Sequence, residues 1–267
     1  NTIQPQNHEM ELSLFGPGIG ECLVVHLGGG DWMVVDSCWN TAGDKAIAVD
    51  YLEGLGVDIG KQVKLIVATH WHDDHVHGLS NLLGYASSAR FACSVALRCE
   101  EFMALVAASD DIKPIAHSSG VSEFAEALKI MRSRSSGRHP GGPNHWAGEG
   151  TRLYAQTSPN VVEVHALSPS SQTITNAQRG IARLLPSAGK PVRQLPAPSQ
   201  NDTCIALLVQ TSGLNFLLGA DLEAGSSGQN GWQAVLASPT KSCVLSSGYK
   251  IAHHGSANAD LDAIWTD

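Results

Sequence analysis

Residues 11–15 (Glu-Leu-Ser-Leu-Phe) alternate polar and apolar side chains, the period of a half-buried strand. A Gly/Pro cluster at 16–20 turns the chain, and 21–27 and 32–36 are two further apolar strands joined through Gly28, Gly29, Gly30 and Asp31, which predicts an opening β-meander. No helix follows these three glycines, so they predict a hairpin turn and not a phosphate cradle. Residues 44–55 switch to helical spacing and stop at Gly56, a C-terminal cap. Residues 64–68 form a short apolar strand of the kind buried in a sandwich core.

Farther on, 79–85, 91–97, 99–108 and 121–132 alternate helical patterns with a short strand. Residues 133–146 and 170–200 are rich in Ser, Gly, Pro and Arg and predict long loops, apart from a short helix near 177–185. Together they suggest a loop-rich basic insertion at about 129–200 within one domain spanning 1–267. Between them 161–167 alternates as a strand and stops at Ser168 and Pro169. Residues 204–209 and 215–218, split by Ser212 and Gly213, predict a hairpin leading into Gly219, Ala220 and Asp221. A last strand, at 242–245 or 249–252, delivers His253 and His254.

Composition narrows the class. With 43% hydrophobic and 16% charged residues over 267 positions, the chain can bury a core, and no apolar run approaches the ~20 residues of a membrane span. Residues 1–10 hold neither a basic segment nor an apolar stretch of signal type, so a cytoplasmic location and no membrane partner are the expectation. The six cysteines lack CxxC spacing and predict reduced, buried thiols. The net charge of −8 excludes a generic nucleic-acid coat, yet it is segregated. Residues 129–193 carry nine basic side chains against Glu149 and Glu163, a net +7, which leaves −15 elsewhere. Arg132, Arg134 and Arg138 are therefore candidate contacts to a polyanion.

The chemistry lies directly after the buried strand. Residues 69–75, Thr-His-Trp-His-Asp-Asp-His, place four metal-capable side chains, His70, His72, Asp74 and His75, at a strand end and in the turn into a helix. Imidazoles and a carboxylate are the donors that zinc and similar ions prefer. His26 and His165, on alternating strands, predict ordinary structural histidines.

The pattern His70-x-His72-x-Asp74-His75 resembles the central motif of the metallo-β-lactamase superfamily. The flanking features fall in the same order: Asp36 closing a strand, Gly-x-Asp ending at Asp221 after a hairpin, and a final strand ending in His253 or His254. The stretches 18–21, 201–209, 216–223 and 250–256 further resemble the hydrolase domain of the competence (ComEC-type) DNA-uptake protein and its soluble relatives. The resemblance implies an α/β (α+β) fold, a four-layer αββα sandwich, and a chain that continues beyond residue 267. It implies two divalent metal ions, Zn²⁺ or alternatively Mn²⁺, with His70 and His72 on the first, Asp74, His75 and His253 on the second, and Asp221 bridging.

In that scheme the metals supply hydroxide at neutral pH, Asp74 orients it, and His254 protonates the leaving oxygen. Asn201 or Asp202 takes the place of a third ligand of the first metal or contacts substrate, and Ser256 contacts a phosphate or caps the next helix. The implied function is a metal-dependent phosphodiesterase or nuclease acting on DNA, RNA or a nucleotide. Hydrolysis of a lactone, thioester or β-lactam is the alternative, followed by a metal-binding regulatory module without turnover.

Overall fold

The computed structural model describes residues 3–16, 18, 20–98, 120–136, 145–182, 200–239 and 245–266. They form two compact units. Of the described residues, unit 1 takes those up to 93, 120–136, 145 and 156–161, and unit 2 takes 94–98, 146–155 and those from 162 onward.

Unit 1 opens with the expected meander: β1 (Glu11–Phe15), β2 (Cys22–His26) and β3 (Trp32–Val35) pair antiparallel in sequence. Helix α1 (Ile47–Gly54) and the turn α2 (Ile59–Gln62) then carry the chain over to β4 (Val63–Ala68), which pairs parallel with β3. Parallel pairing requires such a crossover. Gly56, at φ +73°, ends α1: its N–H donates to Glu53 O and that of Val57 to Leu52 O, the paired bonds of a Schellman motif. The turn α3 (Asp73–Val76), α4 (Leu79–Tyr85) and the parallel strand β5 (Arg90–Ser94) follow. Strands β2 and β3 are buried along their whole length and β4 nearly so, the burial expected of central strands covered on both faces.

The basic middle is more ordered than its composition suggests. Helix α5 (Gly120–Ser136) runs past the predicted end at 132, because no Gly or Pro interrupts 121–136 and its Ser and Arg residues make up the final turns. Strands β6 (His145–Ala147), β7 (Arg152–Gln156) and β8 (Val162–Ala166) and helix α6 (Ser171–Ala182) occupy most of the described stretch 145–182. The long-loop expectation for 133–146 and 170–200 is thus corrected at 133–136, 145–146 and 171–182, while 137–144 and 183–199 lie outside the described residues. So does the helix expected at 99–108. The first sheet has the order β1-β2-β3-β4-β5-β6.

In unit 2, β9 (Leu207–Thr211) and β10 (Asn215–Leu218) form the expected hairpin, and β11 (Gly248–Lys250) pairs parallel with β10. The second sheet runs β11-β10-β9-β8-β7. Its core gathers Cys204, Ala206, Ala220, Leu222, Ala252 and Ala259 around Trp232 and Val235 of helix α7 (Gly231–Ala237). A last short helix, α8 (Ala263–Thr266), brings Ile264 against this core. Ser168 stitches the entry to β9, donating to Cys204 O at 2.6 Å and accepting from Ala206 N at 2.8 Å. No described helix is long and apolar enough to cross a membrane.

Candidate metal centre

Each unit places its donor residues where two parallel strands end side by side. In unit 1 these are β3 and β4, in register Val35 to Val67, so Asp36 and Thr69 emerge as neighbours, and Asp36 N donates to Val67 O at 2.8 Å. The segment 69–76 is then fixed from two sides: Ser37 N donates to His75 O at 2.8 Å and Glu21 N to Asp74 O at 2.9 Å. Gly120 pins α5 to the same segment. Its N–H donates to Asp73 Oδ1, and a Cβ there would meet Trp71 O at 1.9 Å, so only glycine fits.

Asp36 organises the imidazoles. Its carboxylate, fully buried, accepts from Thr69 N at 2.7 Å, from Thr69 Oγ1 at 2.8 Å and from His75 Nδ1 at 2.7 Å. An ionised carboxylate only accepts, so His75 Nδ1 carries its proton and Nε2 carries the electron pair. The Thr69 hydroxyl proton is spent on Asp36, so Thr69 Oγ1 accepts from His70 Nδ1 at 3.0 Å, which puts the electron pair of His70 on Nε2 as well. His70 Nε2 faces His72 Nδ1 at 3.0 Å, and Asp74 Oδ2 lies 3.9 Å from His75 Nε2. Nitrogen and oxygen donors of Asp36, His70 and His75 all lie within 4.8 Å of one another. One carboxylate, directly or through Thr69, therefore sets the tautomers of two histidines, which is how proteins hold imidazoles for a divalent cation. Asp36 adopts φ +61°, a conformation that Asp tolerates better than most residues.

The same corner holds Cys22 and Cys38. Burial, followed by the nearby Cys38, Asp36 and Glu21, pushes the Cys22 thiol well up, and burial followed by Asp36 and Glu21 pushes Cys38 up to about 12. Cys22, Cys38, Cys93 and Cys204 are buried thiols outside any disulfide, as their spacing implied, while Cys99 and Cys243 lie outside the described residues.

In unit 2 the ends of β10 and β11 carry Asp221, His253 and His254. Gly219 N donates to Lys250 O at 3.1 Å and His253 N to Ala220 O at 2.8 Å, which knits the two loops together. Asp221, only 2% exposed, has its backbone N–H on Cys204 Sγ at 3.2 Å. Ala220, His253 and His254 all have positive φ, +44°, +48° and +52°, a concentration of left-handed backbone that costs about 1–2 kcal/mol per residue.

His253 is held on both ring nitrogens: Nδ1 lies 2.9 Å from Asn258 Oδ1, and Asn201 Nδ2 lies 3.4 Å from Nε2. Asn201 also donates to Glu223 Oε1 at 3.0 Å. His254 Nε2 stands 3.6 Å from Asp221 Oδ2, compared with 4.0 Å for His253 Nε2. The expected order, His253 as ligand and His254 as outer group, thus meets a geometry that favours His254 beside Asp221. Two successive left-handed residues turn the chain at the strand end, so extrapolating the strand direction does not tell the two apart.

The remaining candidates divide. Asp202 is half-buried and its carboxyl is raised by burial and then by Glu223, while Ser256 is exposed and makes no side-chain cap to the turn at 257–259. Arg134 is half-buried, and its guanidinium is engaged by the protein. It donates to Ala89 O at 3.3 Å and to Leu83 O, a packing role that corrects the expectation for it. Arg132 is exposed on the same helix, and Arg138 lies outside the described residues. His26 and His165 are structural, as expected, with Glu9 O and Glu163 as partners.

Residues 15–97 match the family model of the metallo-beta-lactamase superfamily. The chain is a mixed α/β arrangement with two sheets and helices, and solved structures of the metallo-beta-lactamase fold are among its neighbours. Among solved structures it is similar to Rm3 metallo-beta-lactamase, at 18% identity over 77% of this chain and 57% of that one, with a TM-score of 0.39. It is also similar to the metallo-beta-lactamase SMB-1, at 15% identity over 98% and 80% with a TM-score of 0.45. The metallo-beta-lactamase fold protein YhfI from Bacillus subtilis aligns at 10% identity over 79% and 64%, with a TM-score of 0.39. The chain therefore spans little more than half the length of Rm3. No curated protein sequence matches it. The donor set in unit 1, imidazole nitrogens oriented from behind by a carboxylate, fits a divalent cation such as zinc by its own chemistry.

Proposed function

We propose that the protein is a metal-dependent phosphodiesterase that acts on DNA, RNA or a nucleotide. The observation that carries the hydrolytic part is the Asp36 relay, which presents Nε2 of His70 and of His75 as electron-pair donors in one buried corner. A divalent cation held there, Zn²⁺ or Mn²⁺, would supply Lewis acidity and would lower the pKa of water. His70, His72 and His75 would hold it, and Asp74, partly exposed beside His75, orients water and accepts its proton.

Through the resemblance, Asp221 and a C-terminal histidine of unit 2 are metal ligands as well, and the spacing to Asp221 supports His254 for that role. His253, with Nδ1 on Asn258, then serves to hold Asn201 and Glu223 in place. The phosphodiester part rests on the motif likeness at 18–21, 201–209, 216–223 and 250–256.

Purified protein supplied with Mn²⁺ or Zn²⁺ should cleave plasmid, single-stranded DNA, RNA, a cyclic nucleotide or a chromogenic phosphodiester, and chelation should abolish the cleavage. Turnover of nitrocefin, a lactone or a thioester with no phosphodiester cleaved would replace the substrate class while keeping the metal chemistry. Metal-free protein with full activity would overturn both.

A further inference from the structure

Glu21 immediately precedes the buried strand β2, and the sequence gives it no role beyond the start of that strand and the stretch 18–21. In the structure it is 4% exposed, its N–H is fixed to Asp74 O, and a carboxylate oxygen comes within 4.8 Å of a ring nitrogen of His75. Within unit 1, three carboxylates flank His75: Asp36 at 2.7 Å from Nδ1, Asp74 at 3.9 Å from Nε2, and Glu21. Gathering three such groups around one imidazole, two of them almost fully buried, is costly in a low-dielectric interior unless positive charge compensates them. A protonated His75 would supply one charge. A divalent ion supplies two and leaves the imidazole neutral.

We propose that Glu21 is a further oxygen ligand of the cation that His75 holds, and that it tilts this site toward Mn²⁺. Carboxylate oxygens suit harder ions, whereas imidazoles alone suit zinc. The proposal rests on the metal-dependent reading above.

The test titrates chelator-treated protein with Mn²⁺, following free Mn²⁺ by electron paramagnetic resonance, and measures Zn²⁺ binding separately by isothermal titration calorimetry. Glu21→Gln keeps the shape and removes the charge. It should weaken Mn²⁺ binding about 10- to 100-fold and Zn²⁺ binding less. Metal-free Glu21→Gln should also melt no lower than the wild type, because removing one of three crowded carboxylates relieves repulsion. A carboxylate with a purely structural role gives the reverse: unchanged Mn²⁺ affinity and a lower melting temperature, which overturns the proposal. If Glu21→Gln does not fold, Glu21→Asp decides, since it withdraws the carboxylate by one methylene. Mn²⁺ affinity equal to wild type in that variant overturns the proposal, and a drop of roughly 3-fold or more supports it. Wild-type protein that binds neither metal overturns the proposed function together with Glu21, whereas wild-type binding that Glu21→Gln leaves intact removes Glu21 alone.

Discussion

Asp36 accepts three hydrogen bonds on one buried carboxylate, so its replacement by asparagine is chemically informative. The amide can still accept from Thr69 N, but its NH₂ would oppose the N–H of His75 Nδ1 and force that ring into the other tautomer. Asp36→Asn should therefore weaken metal binding about 10- to 100-fold, with nitrogen-15 spectra of the ring reporting the tautomer and calorimetry the affinity. Unchanged affinity would mean that His75 is not held this way. The adjoining case is backbone strain. Ala220 has φ +44° just before Asp221, so Ala220→Gly should raise metal-free stability by about 1 kcal/mol in thermal or urea denaturation while leaving Asp221 less firmly placed. His70, His72, Asp74 and His75 were legible in the sequence because they are contiguous and chemically distinctive. The contributions of Glu21 and Thr69 were not, because each depends on which strand ends lie side by side, and register is not written in any local pattern.

Among the elements, α5 shows how composition can mislead. Its C-terminal turns are polar and arginine-rich, which reads as loop, yet Arg134 lies half-buried against α4 and its guanidinium, its pKa lowered by burial, ties Leu83 O and Ala89 O to the helix. Arg134→Ala should cost about 1–3 kcal/mol of stability in denaturant titration, because it leaves carbonyls without their donor. It should leave the salt dependence of any polynucleotide binding unchanged. Arg132→Ala, on the exposed side of the same helix, should reduce that salt slope by about one unit if the helix contacts phosphates. Equal effects of both on the slope would contradict the division. By contrast, the meander, the β9–β10 hairpin and Gly56 as the end of α1 followed directly from periodicity and turn chemistry, which act over a few residues.

At the scale of the molecule, two histidines away from the metal-binding segment contribute to acid sensitivity. His26 is lowered from its ordinary value by burial, partly offset by its bond to Glu9 O, and His145 is lowered by burial and then by Arg90. Both bind protons less readily when folded, so as pH falls below about 6.5 the unfolded chain takes up protons that the native one refuses, and stability declines. Urea unfolding at pH 7.5 and 5.5 should show this loss, and it should be smaller in His26→Gln. An identical loss in the variant would assign the acid sensitivity elsewhere. The parallel pairs β3–β4 and β10–β11 also bear on timing. Asp36 and Thr69 are 33 positions apart and meet only when β4 has docked on β3 after its crossover, a pairing that forms slowly because the loop must close first. The ring nitrogens acquire their orientation at that moment and not before. In stopped-flow refolding with a zinc indicator, tight capture of the ion should therefore lag the recovery of helical signal, and Asp36→Asn should lengthen or abolish the late phase.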